Sequence, residues 1–184
     1  MLEKYSRYRI LREFFVYPTT FFFMRQISRN TRISQPSVLH HLKALVKAEL
    51  ITRDEEKGLY PSYRAHRDSE LFKRYKVSDL LVRFQETGLI SSISDQCLPD
   101  CIVLFGSASL GEDTEESDID LFIQSPETKL NLEKFEKIFK RKINLFFEEK
   151  FTRLSSELKN NILNGIKLKG YLKVFVGGSH KNNS

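Results

Sequence analysis

The stretch that decides the fold of this chain is 101–123, which reads CIVLFGSASLGEDTEESDIDLFI. Residues 101–105 form a continuous apolar run with β-branched members, and the run stops at Gly106 and Ser107 as a buried strand would. Glycine lets a backbone approach a ligand closely, and the N–H and hydroxyl of serine can hold phosphate oxygens. We therefore predict a strand that ends in a binding site for a phosphate-bearing ligand.

A second apolar strand follows at 119–123, and two acids, Asp118 and Asp120, are set into it. Alternate residues of a strand share a face, so both carboxylates are expected on the same side. Two carboxylates this close repel each other, and Mg²⁺, which prefers oxygen ligands, is their natural counter-charge.

The linking segment 108–117 contains glycine and is acidic, and we expect its acids to lie in a solvated loop. These acids are Glu112, Asp113, Glu115 and Glu116.

The spacing Gly-Ser, ten residues, Asp-x-Asp holds from Gly106 to Asp120 and resembles the signature of the polymerase-β-like nucleotidyltransferase superfamily. The small size and Ser117 resemble the minimal nucleotidyltransferases of prokaryotes, including the MNT antitoxins that adenylylate HEPN toxins. The resemblance implies transfer of a nucleoside monophosphate, such as AMP, from ATP or another NTP to a protein (toxin) or RNA hydroxyl. It also implies that Gly106 and Ser107 hold the nucleotide, and that Asp118 and Asp120 bind Mg²⁺ or Mn²⁺.

Enzymes of that superfamily usually carry a third carboxylate on a later strand, and the corresponding strand here, 141–147, has Asn144 as its central polar residue. An amide oxygen can ligate a metal weakly, but it bears no charge and cannot act as a general base. Asn144 would therefore sit beside the acceptor hydroxyl, in one catalytic set with the two aspartates. Three alternatives follow: catalysis with two carboxylates, catalysis that borrows Glu148 or Glu149, or nucleotide binding without turnover.

The N-terminal third has the pattern of three helices followed by a hairpin. The helical spacing of apolar residues within 2–17 predicts the first helix, and a second short helix follows it. Ser34 as an N-cap and Pro36 just inside predict that the third helix covers 35–48, because the missing N–H of proline would be unpaired there anyway. Two strands around a turn at 57–58 complete the order of a winged helix.

Residues 33–45, ISQPSVLHHLKAL, resemble the recognition helix of bacterial and archaeal winged-helix regulators. In that family the first exposed turns of this helix enter the major groove of DNA. The resemblance therefore implies four DNA-binding side chains, those of Gln35, Ser37, His40 and Lys43. Three acids at 54–56, beside the wing tip, indicate a wing that does not touch phosphate. Winged helices also serve as dimerisation or protein-docking modules, and that role stays open.

Charge divides the chain into a basic and a mildly acidic part. Residues 1–76 carry 16 Lys+Arg and 8 Asp+Glu, a net charge of +8, whereas residues 77–184 carry 14 and 16, a net charge of −2. The basic part is a candidate for a polyanionic partner such as DNA. We predict an α+β two-domain fold in which a mixed-sheet α/β domain follows an all-α winged-helix domain. The expected divisions are a winged helix-turn-helix at 1–67, a helical connector at 68–98, a nucleotidyltransferase domain at 99–176 and a flexible tail at 177–184.

The composition indicates a cytoplasmic protein with no membrane partner. No apolar run approaches the roughly 18 residues that cross a bilayer, and the N-terminus lacks the apolar core of a signal peptide. Cys97 and Cys101 have no histidine nearby to complete a zinc site, so we expect reduced structural thiols. A transcriptional regulator with a degenerate, nucleotide-sensing or dimerising transferase domain is the competing interpretation, and a homodimer stays open.

Overall fold

The computed structural model describes residues 5–55 and 60–175, and contacts divide the chain into two compact units. Unit 1 combines Met1–Arg83 with Leu110–Ser117, and unit 2 combines Phe84–Ser109 with Asp118–Ser184. The two-domain α+β layout is thereby confirmed. The domain boundaries expected at 67/68 and 98/99 stay a prediction. The expected wing turn at 57–58 and the tail at 177–184 lie outside the described residues.

Unit 1 has the element order of a winged helix, with one short strand that the sequence pattern did not indicate. Its three strands form an antiparallel sheet in the order β1-β3-β2. The unexpected strand, β1, has two residues, which is too short for an alternating pattern to be recognised. The elements are α1 (Ser6–Val16), β1 (Phe22–Phe23), α2 (Met24–Thr31), α3 (Gln35–Lys47), β2 (Ile51–Asp54), β3 (Ser62–Ala65) and the greater part of α4 (Glu70–Thr87).

The start of α3 follows its sequence signals. Ser34 is the N-cap residue with an extended backbone, and proline occupies the first turn, as predicted. The Ser34 side chain makes no capping hydrogen bond. Tertiary packing stabilises the helix instead, because Val38, Leu42 and Leu45 are buried in the core of unit 1. Further members of that core are Ile10, Phe14, Phe15, Phe22, Ile27, Ile51, Tyr63 and Phe72.

Unit 2 is built on a four-stranded mixed sheet in the order β6-β5-β4-β7. β5 and β6 are parallel, and β4 is antiparallel to both of its neighbours. The remainder of α4 and one 3₁₀ turn, Phe151–Arg153, also belong to this unit. Its other elements are α5 (Leu89–Cys97), β4 (Cys101–Phe105), α6 (Ser107–Leu110, whose last residue belongs to unit 1), β5 (Ile119–Gln124), α7 (Glu133–Phe139), β6 (Ile143–Phe147), α8 (Ser156–Leu163) and β7 (Ile166–Gly170).

The two central strands explain why the sequence of this unit contains uninterrupted apolar runs. All five residues of β4 and every residue of β5 except Asp120 are buried, so both faces of these strands are covered. A core cluster on this sheet joins Cys101, Val103, Phe105, Phe122, Phe151 and Ile162. Asp118 precedes β5 by one residue, and Asp120 is its second residue. The two acids therefore mark the point where a buried strand begins.

The linking segment between the Gly-Ser and Asp-x-Asp motifs is not the solvated loop that its composition indicates. Glu112 and Glu116 are exposed, but Asp113 is only 4% exposed and forms an ion pair with Lys76 of α4. The prediction is wrong for Asp113, because a counter-charge 37 residues earlier in the chain compensates its burial. The segment is thus a packed part of unit 1.

Both cysteines are free and buried, as the sequence indicates. Burial raises the pKa of the Cys97 thiol and that of the Cys101 thiol, so both stay protonated near neutral pH. Within the described residues, no helix is both long and apolar enough to cross a bilayer.

Candidate functional site

Three polar side chains converge where β5 and β6 begin. The parallel pairing sets Asp120 opposite Asn144. The amide nitrogen of Asn144 donates to Oδ2 of Asp118 at 3.1 Å and to Oδ1 of Asp120 at 3.0 Å. The two carboxylates therefore lie on one side of the sheet, with oxygens facing the same point. The orientation of the amide is fixed by chemistry, because only its NH₂ group can donate to two carboxylates.

Gly106 completes the wall of this site from the end of β4. The antiparallel pairing sets Phe105 opposite Asp120, and Gly106 follows with φ +70°. A Cβ at this position would lie 2.9 Å from Oδ2 of Asp120, closer than real Cβ contacts allow. The chain then turns into α6 at Ser107, and both the N–H and the hydroxyl of Ser109 donate to the Gly106 carbonyl, at 3.1 and 2.7 Å. Position 106 therefore favours glycine for two reasons: its φ is positive, and the carboxylate of Asp120 occupies the space that a Cβ would need.

The backbone of Asp118 is held from the strand that carries Asn144. Arg141 donates from its guanidinium to the Asp118 carbonyl oxygen at 2.8 Å, and the Ile119 N–H donates to the carbonyl of Lys142 at 2.9 Å. Sequence reasoning did not select Arg141. Arg141 lies two residues before β6, and its contact with Asp118 depends on the pairing of β5 with β6, which the sequence alone does not reveal.

The donor set fits one divalent cation supported by a nucleotide. Mg²⁺ is commonly bound by one or two carboxylates together with phosphate and water oxygens, and Asp118 and Asp120 offer two convergent carboxylates. Among the described residues, no group of three or more His, Cys, Asp or Glu side chains could hold a metal ion. Asn144 could join as a ligand only by rotating its amide so that Oδ1 replaces the NH₂ group.

Glu148 and Glu149 do not replace the missing carboxylate. β6 ends at Phe147, so Glu148 lies four residues beyond Asn144, about 13 Å along an extended strand. The Glu148 side chain instead accepts a hydrogen bond from the Lys150 N–H at 2.9 Å and lies 3.8 Å from Arg153. The structure therefore disfavours the alternative that borrows these residues.

The four expected DNA-binding residues lie on α3, and two of them line a groove. Gln35, His40 and Lys43 are exposed, whereas Ser37 is half-buried. Gln35 and Lys43 line a groove of about 810 Å³ in unit 1. Neither Ser37 nor His40 lines it. Three residues that sequence reasoning missed also line the groove: Arg25, Arg53 and Tyr60.

Two of the three acids beside the wing, Asp54 and Glu55, are paired with arginines of the same hairpin. Asp54 lies 3.3 Å from Arg64, and Glu55 forms an ion pair with Arg53. The Arg25 guanidinium stands over the ring of Tyr60, 5.6 Å from its centroid. This pairing reduces the repulsion that the acids would exert on a phosphate backbone, although exposed pairs of this kind are weak.

The fold joins a winged helix-turn-helix to a mixed-sheet domain in which the Gly-Ser and Asp-x-Asp motifs lie side by side. The comparisons with known families agree. Residues 90–169 match the family described as nucleotidyltransferase domain, and residues 23–53 match the family described as bacterial regulatory protein, arsR family. No curated protein and no solved structure matches the chain. The resemblance that the two motifs indicated is thereby confirmed.

Proposed function

We propose that this protein is a Mg²⁺-dependent nucleotidyltransferase that transfers a nucleoside monophosphate, AMP from ATP, to a hydroxyl group of a protein or an RNA. The convergence of Asp118, Asp120 and Gly106 carries the proposal, because it presents two carboxylates beside a turn whose glycine has no Cβ to cover them. The match of residues 90–169 to nucleotidyltransferase domains supports it. The winged helix binds DNA, and a cytoplasmic antitoxin is one protein that would need both activities.

Each residue of the site has a distinct role in this proposal. Gly106 and Ser107 hold the triphosphate, and Asp118 and Asp120 bind the metal ion. When bound, Mg²⁺ neutralises the charge of the triphosphate and of the departing pyrophosphate. Asn144 holds the two carboxylates in place and lies beside the acceptor hydroxyl.

The proposed transfer needs no general base from this chain. The acceptor oxygen forms a bond to the α-phosphorus, the bond between that phosphorus and the β-phosphate oxygen breaks, and pyrophosphate leaves. The acceptor proton passes to solvent, because the Asn144 amide cannot take it. We therefore expect slow turnover, because a general base, which this site lacks, typically raises the reaction rate by about 10²–10⁴-fold.

The test is incubation of purified protein with α-³²P-labelled ATP, Mg²⁺ and host lysate. We expect a labelled protein or RNA band that disappears in the Asp118→Ala/Asp120→Ala variant. Digestion of the band with protease or ribonuclease identifies the acceptor class. A matched control replaces Glu148 and Glu149 with glutamine, because these acids lie near the site in sequence but not in the structure. The absence of any label, with ATP still bound, would refute the transferase.

A second function is favoured by Asn144. Its two hydrogen bonds satisfy both aspartates without a metal ion, as expected of a site that senses nucleotide and performs no transfer. In that case the protein is a DNA-binding regulator with a degenerate transferase domain. DNA binding that survives Asp118→Ala/Asp120→Ala, together with no transfer by the wild type, would establish the regulator.

A further inference from the structure

The segment Leu110–Ser117 belongs to a different compact unit from the two motifs that it connects. Gly106 and Ser107 precede it in unit 2, and Asp118 follows it in unit 2, yet the segment itself belongs to unit 1 with the winged helix. The chain therefore leaves the nucleotide site, packs as part of the DNA-binding unit and returns directly to a proposed metal ligand.

A buried ion pair holds the middle of this segment. Nζ of Lys76 lies 3.0 Å from Oδ1 of Asp113, and it also donates to the Asp113 carbonyl oxygen. Lys76 is 5% exposed and Asp113 is 4% exposed, so water solvates neither charge well. A buried ion pair is costly to separate, because each charge left without its partner stays desolvated. The segment is thus held firmly to α4.

Further contacts lie on either side of this pair. Lys73 donates to Glu112 at 2.8 Å, and a Cβ on Gly111 would lie only 2.5 Å from the Lys73 carbonyl oxygen. The hydroxyl of Thr19 donates to Glu115, and the Thr19 N–H lies 3.4 Å from the same carboxylate. Contacts with two separate parts of unit 1, α4 and the loop after α1, therefore fix residues 111–115.

The fixed segment ends immediately before the site. The Thr114 N–H donates to the Ser117 hydroxyl at 2.9 Å, which closes a tight turn, and Asp118 is the next residue. Successive Cα atoms are about 3.8 Å apart, so displacement of this turn moves Asp118 with it. The turn belongs to unit 1, and the carboxylate of unit 2 follows it directly in the sequence.

We propose that Leu110–Ser117 couples the two ligands of this protein, so that Mg²⁺-nucleotide at Asp118 and Asp120 changes the affinity of the winged helix for DNA. Lys76 and Asp113 are positioning residues of this coupling. The inference rests on the proposed function, because it requires that both ligands bind. Linkage makes the effect reciprocal: DNA changes nucleotide affinity by the same factor. Couplings of this kind typically amount to about 5- to 150-fold.

The test measures DNA affinity by fluorescence anisotropy with and without Mg²⁺ and α,β-methylene-ATP, an analogue that cannot transfer AMP. The probe is a labelled duplex that wild-type protein selects from a random library. We expect the analogue to change the wild-type dissociation constant by about 5-fold or more. In Lys76→Met/Asp113→Leu, which replaces the buried pair by apolar side chains, each ligand alone should bind as in the wild type while the change disappears.

Two further variants keep the test decisive. Thr19→Val removes an exposed anchor without disturbing the buried pair, and it should reduce the coupling even if the double variant does not fold. Glu116→Gln, an exposed acid of the same segment, should leave the coupling unchanged. Coupling that is absent in the wild type, or unaltered in both anchor variants, would overturn the inference while both ligands still bind. Failure of calorimetry to detect nucleotide binding would instead refute the proposed function, and the coupling with it.

Discussion

Asn144 stabilises two neighbouring carboxylates, a task that otherwise requires a metal ion or a bound proton. Its NH₂ group offers one hydrogen to each aspartate, at 3.1 and 3.0 Å, and so stabilises two neighbouring negative charges. Hydrogen bonds to charged groups each contribute about 1.5–3 kcal/mol. The amide thus stabilises the carboxylate pair when no cation is bound, and it must give way or rotate when a cation enters.

Asn144→Asp should exchange this metal-independent stability for stability that depends on Mg²⁺. In EDTA three carboxylates would meet without a donor between them, and we expect a loss of about 2 kcal/mol in the free energy of unfolding. Millimolar Mg²⁺ should restore it, because the third carboxylate adds a charged oxygen ligand. Urea unfolding in EDTA and in Mg²⁺ measures both effects. Asn164→Asp, an exposed amide outside the site, provides the control. A variant in EDTA that is as stable as wild type would contradict this account of Asn144.

Gly106→Ala should weaken nucleotide binding, and comparison with Gly88→Ala separates the effect of backbone strain from the effect of the contact with Asp120. Both glycines have φ near +70°, where alanine costs about 1–2 kcal/mol, but only Gly106 has a neighbour within reach of the new Cβ. Gly88→Ala should therefore lose stability alone. Gly106→Ala must also displace Asp120, so we expect nucleotide affinity to fall by about tenfold or more. Thermal melting and calorimetry check the two effects, and equal nucleotide affinity in both variants would show that the Asp120 contact is unimportant.

Much of the site could be predicted from the sequence at this scale, because strands obey a period of two. Asp118 and Asp120 had to share a face, and the parallel pairing of β5 with β6 then placed Asn144 between them. Arg141 could not be selected in the same way. Its guanidinium lies just before β6 and reaches the carbonyl of Asp118, just before the neighbouring strand β5; that contact depends on strand register, which a single sequence does not reveal.

At the scale of elements, the segment Leu110–Ser117 shows where composition misleads. Four acids in eight residues are typical of a solvated loop, yet this segment is packed against α4 through Asp113. The prediction failed because the partner, Lys76, is distant in sequence. β1 was missed for a different reason, since two residues carry no periodic signal. The long helices and central strands were found because their apolar patterns are long enough to be unambiguous.

The pH dependence of stability should report the contact between this segment and Thr19. Burial acts to raise the pKa of Glu115, but hydrogen bonds from Thr19, the local backbone and Thr20 outweigh it and hold the pKa below the ordinary range. A carboxyl whose pKa is lower in the folded state stabilises the protein above its unfolded pKa and loses that contribution as pH falls through the folded pKa. The stability difference between wild type and Glu115→Gln should therefore be constant above about pH 5 and shrink below it.

Urea unfolding of both proteins at a series of pH values measures this difference. Glu116→Gln is the matched control, because Glu116 is an exposed acid of the same segment. Its difference from wild type should stay small at every pH. A Glu115→Gln difference that persists unchanged down to pH 3 would show that ionisation of Glu115 does not hold the segment in place.

Across the whole molecule, residues 1–76 and residues 77–184 differ in net charge and in the motif that each contains. The first 76 residues carry a net charge of +8, and the motif that contains Asp118 and Asp120 lies in the remaining part, which has a net charge of −2. The proposed sites for a polyanion and for a metal-nucleotide complex therefore lie in parts of opposite net charge. The sequence could predict this division, because charges add along the chain. It could not predict which unit would hold Leu110–Ser117, because that depends on packing.

The salt dependence of DNA binding should locate the polyanion site on the groove beside α3. A protein that neutralises phosphates releases counterions, so the logarithm of its affinity falls with the logarithm of salt concentration by about 0.9 for each phosphate contacted. Lys43 and Arg25 line the groove, and Lys43→Ala and Arg25→Ala should each reduce this slope by about 1.

Gln35→Ala should leave the slope unchanged but alter discrimination between duplex sequences, since an amide reads base edges. Lys137→Ala, an exposed lysine of α7, is the control and should change neither. Equal slopes in all four variants would place the DNA elsewhere and leave the groove without a polyanionic ligand.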